Sequence, residues 1–155
     1  MKVLVNALLL NENFSGVQYS TESLLDAMSR KIPRANYIEA IVSKSYSGIL
    51  KSTANLKIRH VGFDTSNRLK RIAYENFWLR RYFCKEKFCL YHSTGYVLPF
   101  FNKIPSVITV HDLIAIDFPQ FCQQSSALYF KSCLPSSIDR ANKIIAVSNK
   151  VKSDI

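Results

Sequence analysis

At 155 residues and 48% hydrophobic, the chain is long enough to bury one real core, and its composition excludes disordered, collagenous and disulfide mini-protein classes. Lys and Arg number 21 against 11 Asp and Glu, a formal net charge of +10. That surplus favours anionic partners, whether nucleic acid, phosphorylated small molecules or an anionic membrane surface, without choosing among them.

The opening run "KVLVNALLL" (2–10) is nearly continuous in apolar residues, which suits a strand buried on both faces. It lacks the small-residue cleavage pattern of a signal peptide and breaks at Asn11-Glu12-Asn13. No run approaches the roughly 20 apolar residues needed to span a bilayer, so a cytoplasmic protein is expected. Gly16 permits a tight strand-to-helix turn. Val17, Thr21, Leu24, Leu25, Met28 and Ile32 then recur at helical spacing until Pro33. "NYIEAIVS" (36–43) and "LKIRHVGF" (56–63) read as the second and third strands, with a short helix or loop around Gly48 between them.

From Arg68 to about Cys84 the helical pattern returns through Ile72, Asn76, Leu79 and Phe83. "FCLYHS" (88–93) is a short strand, residues 94–104 a loop, and "SVITVH" a strand that Pro105 can open but not enter. After a loop containing Pro119, a helix runs from about Ser125 to Ala141. Pro135 inside it predicts two segments or a kink near Leu134, because an interior proline costs roughly 3 kcal/mol or more. "KIIAVS" (143–148) is the last strand, and Ser148 N-caps a final helix of about one turn, an ending expected of a chain cut from a longer one. Strands alternating with helices predict one α/β domain over 1–155, a Rossmann-like, doubly wound, mostly parallel sheet. The cysteines at 84, 89, 122 and 133 form no Cys-x-x-Cys pair and are expected as reduced thiols.

Ligands of open parallel sheets bind beyond the carboxyl ends of the strands. That edge collects the Asn11–Gly16 turn, His92-Ser93, His111-Asp112 and Ser148-Asn149. There is no Gly-x-Gly-x-x-Gly after the first strand, no Walker-type loop and no Gly-x-Ser-x-Gly elbow.

Three stretches, "FSGVQYSTESLLDAM", "LYHSTGYVLPFFNKIPSVITVHDLIAIDFPQF" and "LPSSIDRANKIIAVS", resemble in order the N-terminal domain of GT-B glycosyltransferases of family 4. The resemblance covers almost all of the chain, and "IPSVITVHDL" and "RANKIIAVS" carry most of it. It implies the acceptor-side half of a two-domain GT-B fold. Such enzymes transfer a hexosyl or mannosyl group from a nucleotide sugar to a glycan or lipid-linked acceptor in cell-surface polysaccharide synthesis. It further implies retention of configuration, no metal and no bound cofactor. His111 takes the position at the cleft close to the reacting sugar, where an imidazole hydrogen-bonds hydroxyls or steadies developing charge. Asp112 orients the acceptor or caps its loop, and His92 and Ser93 line the acceptor pocket or make a local turn bond.

Ser15 and Gly16 match the family's phosphate-approaching loop. The chain departs there, with Ser15 where adjacent glycines are common and Gln18 where a basic residue often follows. Cys89-Leu90 stand where an acidic residue is often found. The donor-binding domain with its paired glutamates is missing from the 155 residues, so the expectation is a chain inactive alone, working beside a separate donor-binding chain. A non-catalytic acceptor- or membrane-binding module and a truncated gene remnant are the alternatives.

"RLKRIAYENFWLRRYFCKEK" (68–87) holds seven basic and five aromatic residues against Glu75 and Glu86. It reads as an amphipathic helix with a solvated charged face. The functional alternative is docking to the inner face of an anionic membrane, with Trp78 or Tyr82 at the interface and Arg80 and Arg81 on lipid phosphates. No nucleic-acid motif accompanies the charge, and that partner ranks last.

Overall fold

In a computed structural model the six apolar runs become strands β1 (Lys2–Asn6), β2 (Tyr37–Val42), β3 (Leu56–His60), β4 (Leu90–Ser93), β5 (Ser106–Val110) and β6 (Lys143–Ala146). The structure describes residues 1–12, 15–33, 35–100 and 104–155, with the side chain at 84 set apart. The middle of the expected 11–16 turn, the end of the expected 94–104 loop and the Cys84 thiol lie outside the described residues.

The strands form one sheet in the order β3-β2-β1-β4-β5-β6, parallel at every pairing. This is the Rossmann order, and it reverses direction between β1 and β4. Strand β1 lies at the centre with Val3, Leu4 and Val5 almost wholly buried, which is why its sequence does not alternate. Its side chains divide between two cores. Val3 and Val5 pack with Leu25, Ile38 and Leu56, and Leu4 packs with Leu79, Tyr91, Ile108 and Leu134 on the other face.

Helix α1 (Gly16–Lys31) covers the first face. Ser15 caps it, and Ile32 ends it in an extended conformation, as the residue before a proline prefers. Gly16 has no positive φ, and a Cβ there would meet nothing within 4 Å, so no tight turn demands glycine at this position. Close approach is needed instead at Gly48, where a Cβ would collide with the buried Glu22–Tyr46 pair.

The helix expected over 68–84 is interrupted. It runs as α2 (Arg68–Ala73), a π-turn over Tyr74–Trp78, and α3 (Leu79–Glu86). Tyr74, Trp78 and Tyr82 stack in succession, with centroids 4.8 and 4.9 Å apart. The polar residue in the middle of β2, Glu39, is 2% exposed and satisfied by Arg59 of β3 and by the Tyr82 hydroxyl at 2.6 Å. Arg59 also lies over the Tyr82 ring, 4.8 Å from its centroid.

After β5 the chain makes α4 (Ile114–Asp117) and a 3-10 turn (Pro119–Phe121) before α5 (Gln124–Arg140). Pro135 does not divide α5 in two. The carbonyl it deprives of a partner belongs to exposed Lys131, where water can serve, while Ser137 donates to the Cys133 carbonyl at 2.7 Å and accepts from Leu98 N at 3.0 Å. Helix α6 (Asn149–Asp154) is capped by Ser148 as expected. Strand β6 forms the sheet edge and leaves Ile144, Ile145 and Val147 exposed. Among the described residues no helix is long and apolar enough to cross a membrane.

Candidate functional site

The carboxyl edge of the sheet at the β1/β4 reversal is built outward from Asn6, the polar residue that ends an otherwise apolar strand. Asn6 Oδ1 accepts from Leu8 N at 3.1 Å, which fixes the amide's orientation. Its Nδ2 then donates to Glu75 Oε1 and to the Tyr91 hydroxyl, each at 2.9 Å. Glu75 enters from the π-turn, and burial raises its carboxyl above the ordinary carboxylate range. Arg68 and Arg71 precede it on α2, and the three positions share one helix face.

These groups line a cavity of about 340 Å³, together with Ser15 and Gln18 from the start of α1, Tyr96, and Tyr129 and Phe130 of α5. Gln18 is held by four bonds. Its N–H donates to Ser15 Oγ at 3.4 Å, its Oε1 accepts from Ser15 N at 3.0 Å, and its Nε2 donates to Leu9 O at 2.6 Å and Asn11 Oδ1 at 2.9 Å. Ser15 is thereby the first member of a capping box, its hydroxyl engaged at the helix N-terminus.

Tyr96 has φ 73°, a left-handed conformation that is costly for a bulky residue and concentrates at functional sites. Its hydroxyl donates to Asp112 Oδ2 at 2.9 Å, while Asp112 Oδ1 accepts from Ile114 N at 3.1 Å. Asp112 thus both caps its own loop and holds Tyr96. Burial and the neighbouring carboxylate push the Tyr96 phenol well above its usual range. A second cavity of about 280 Å³ lies beyond, lined by Asp112, Ile114, Ile116 and Leu134, and Tyr96 and Phe130 form a wall common to both.

His111 follows the last residue of β5. Its Nε2 donates to the Thr94 carbonyl at 3.0 Å, so Nδ1 is the ring's acceptor in the neutral form. The ring packs edge-on against Tyr96 at 5.4 Å. It stands behind the shared wall, one residue removed from the cavities.

His92 and Ser93 are placed differently. His92 Nε2 lies 2.8 Å from Thr109 Oγ1, and Ser93 Oγ donates to Val97 O at 2.8 Å. Both are buried and line neither cavity; Ser93 makes the local turn bond, whereas His92 bonds across to the neighbouring strand β5. Burial, reinforced by His111, lowers the His92 pKa to about 4. The unfolded ring binds a proton near pH 6.5, so the native state loses stability as pH falls from 6.5 through 4 and keeps it above 6.5. The difference is on the order of 3 kcal/mol. His92→Gln should flatten the stability–pH profile over that interval in urea titrations; an unchanged slope would contradict the assignment.

Among the described residues no three His, Cys, Asp or Glu side chains gather as metal ligands. The sequence profile described as Glycosyltransferase Family 4 matches residues 15–155. The chain belongs to glycosyltransferase family 4. A comparison with curated proteins finds no match. The six-stranded all-parallel sheet with its helices is Rossmann-like and consistent with half of a GT-B fold.

Asn6, Arg68, Arg71, Glu75, Tyr96 and Tyr129 were not singled out by sequence as site residues. The signals present are the asparagine closing "KVLVN", the i, i+3, i+7 spacing of Arg68, Arg71 and Glu75, and the Gly95-Tyr96 pair in the loop after β4. On the basic face, Trp78 is stacked between two tyrosines and 41% exposed, whereas Phe77 is 74% exposed. Phe77, Arg80, Arg81 and Lys85 surround one shallow depression.

Proposed function

We propose that this chain is the acceptor-side half of a retaining glycosyltransferase. It receives a glycan or lipid-linked acceptor in cell-surface polysaccharide synthesis, while a donor-side domain, carried by a separate chain or by further sequence, supplies the hexosyl or mannosyl group from a nucleotide sugar. The observation that carries this reading is the 340 Å³ cavity at the strand-order reversal, with amide, hydroxyl and aromatic groups suited to a sugar. His111 acts through its contact with Tyr96 and its bond to the Thr94 carbonyl, which together set the wall facing the acceptor. Asp112 holds the same wall through the Tyr96 hydroxyl. Ser15 and Gly16 bring the N-terminus of α1 toward the donor's phosphates.

The exposed Phe77 among Arg80, Arg81 and Lys85 favours a peripheral position at the cytoplasmic face of an anionic membrane, with Trp78 at the interface. Nuclear magnetic resonance on the folded chain tests the acceptor reading. Neutral oligosaccharide acceptors are expected to shift backbone resonances at Asn6, Gly95 and Tyr96 at concentrations where a nucleotide sugar leaves them unmoved. The reverse pattern would assign this cavity to the donor and overturn the reading.

A further inference from the structure

Arg68 and Arg71 are the feature that a neutral sugar does not explain. Arg68 donates to Ser126 Oγ through Nη2, while its Nη1 is buried and, among the described residues, has no hydrogen-bond partner. Arg71 spends one N–H on the Thr65 carbonyl at 3.2 Å. Neither guanidinium is within ion-pair distance of a carboxylate among the described residues. Among the described residues the one carboxyl lining the cavity is Glu75, which is bonded to the Asn6 amide instead. Two arginines one turn apart therefore face a common space with donors to spare. An unpaired buried donor is costly unless a ligand completes it.

We propose that the acceptor is phosphorylated, and that its phosphoryl group is held by Arg68 and Arg71 with its sugar ring against Tyr129 and Phe130. The planar guanidinium forks match a tetrahedral anion with several oxygens. A volume of about 340 Å³ admits a sugar phosphate. The Glu75–Asn6 pair meets the ring's hydroxyls, since an amide-bonded carboxyl has lone pairs left to accept them. This inference rests on the acceptor reading above and adds the charge of the ligand to it.

The test is a titration of the folded 155-residue chain, followed by backbone resonances, with glucose, glucose 1-phosphate and inorganic phosphate. A prenyl phosphate in neutral micelles serves as the lipid-borne source of the same group. Glucose 1-phosphate is expected to bind at least tenfold more tightly than glucose and to shift residues 68–75 and 95–97. Inorganic phosphate should compete with it, and chloride at equal ionic strength should not. Arg71→Gln and Arg68→Gln should each weaken glucose 1-phosphate at least tenfold and leave glucose unchanged. Both arginines also bond neighbouring loops, so Arg71→Lys and Arg68→Lys accompany them. These keep the charge, lose the fork, and should weaken the phosphate ester with the melting midpoint unmoved.

Equal affinity for glucose and its phosphate, or indifference of phosphate binding to all four variants, would overturn the proposal while leaving the acceptor reading intact. If neither a sugar nor a phosphate compound moves the cavity residues, both fall. Prenyl phosphate binding at residues 68–75 without glucose 1-phosphate binding supports the phosphoryl site and identifies its source as a lipid. Prenyl phosphate shifts confined to Phe77, Arg80 and Lys85 would overturn it.

Discussion

Replacing His111 with alanine is expected to lower kcat/KM for sugar transfer by roughly 10²-fold, about 2.7 kcal/mol, when the donor-side domain is present, because the wall it sets is then misplaced. The ring has two attachments, the Nε2–H bond to Thr94 O and the edge-on contact with Tyr96. Alanine removes both. Tyr96 then keeps its left-handed backbone with the Asp112 bond and the Phe130 contact to hold it. If His111 acts on the transition state, the loss falls on kcat. If it serves only to shape the acceptor wall, KM rises and kcat holds. His111→Gln, which can still present an N–H to Thr94 O, should retain more activity than His111→Ala. Full activity of the alanine variant would remove His111 from the site.

Arg59→Ala should cost about 3–5 kcal/mol of stability, a large part of the 5–15 kcal/mol that holds an ordinary domain folded. Glu39 is 2% exposed in the middle of β2, and Arg59 is its only salt-bridge partner among the described residues. Without that cation a carboxylate is left in the sheet with the Tyr82 hydroxyl alone. Pairing Arg59→Met with Glu39→Gln should recover most of the loss, since the amide still accepts from Tyr82 and no charge remains buried. Urea denaturation of the two variants measures this, and a loss below about 1 kcal/mol in Arg59→Ala would show that the pair is solvated.

These two effects differ in how far the sequence announces them. "SVITVHDL" marks a buried strand that ends in ionisable residues at the ligand-binding edge, and His111 and Asp112 are where that pattern puts them. Glu39 is visible in "YIEAIV" as a charge in an apolar run, but its partner is 20 residues away on another strand. The pairing appears only when β2 and β3 align, Ile38 opposite Leu56 and Ile41 opposite Arg59.

The helix over 68–86 shows the same division. Its apolar positions Leu79 and Phe83 are periodic and buried, as the spacing predicts. The π-turn is not written in that spacing. It arises where the stacked Tyr74, Trp78 and Tyr82 and the Glu75–Asn6 bond are satisfied together, and it puts Glu75 in the cavity and Phe77 in solvent. Pro135 is the converse case. A local rule predicts two segments or a kink, and the division does not occur: Leu134 is 1% exposed, Ser137 bonds two backbone groups, and α5 runs through Pro135 as one helix.

The sequence by itself determined the strand and helix order, the parallel α/β class and the resemblance to glycosyltransferase family 4, because apolar periodicity and short motifs are local properties of the chain. Only the tertiary structure decided which polar residues share a cavity. Asn6, Arg68 with Glu75, Tyr96 and Tyr129 come from four separate stretches, and the order β3-β2-β1-β4-β5-β6 brings them to one edge. The same packing buries His92 against the Thr109 hydroxyl and Ser93 against the Val97 carbonyl, so neither side chain joins the cavity lining.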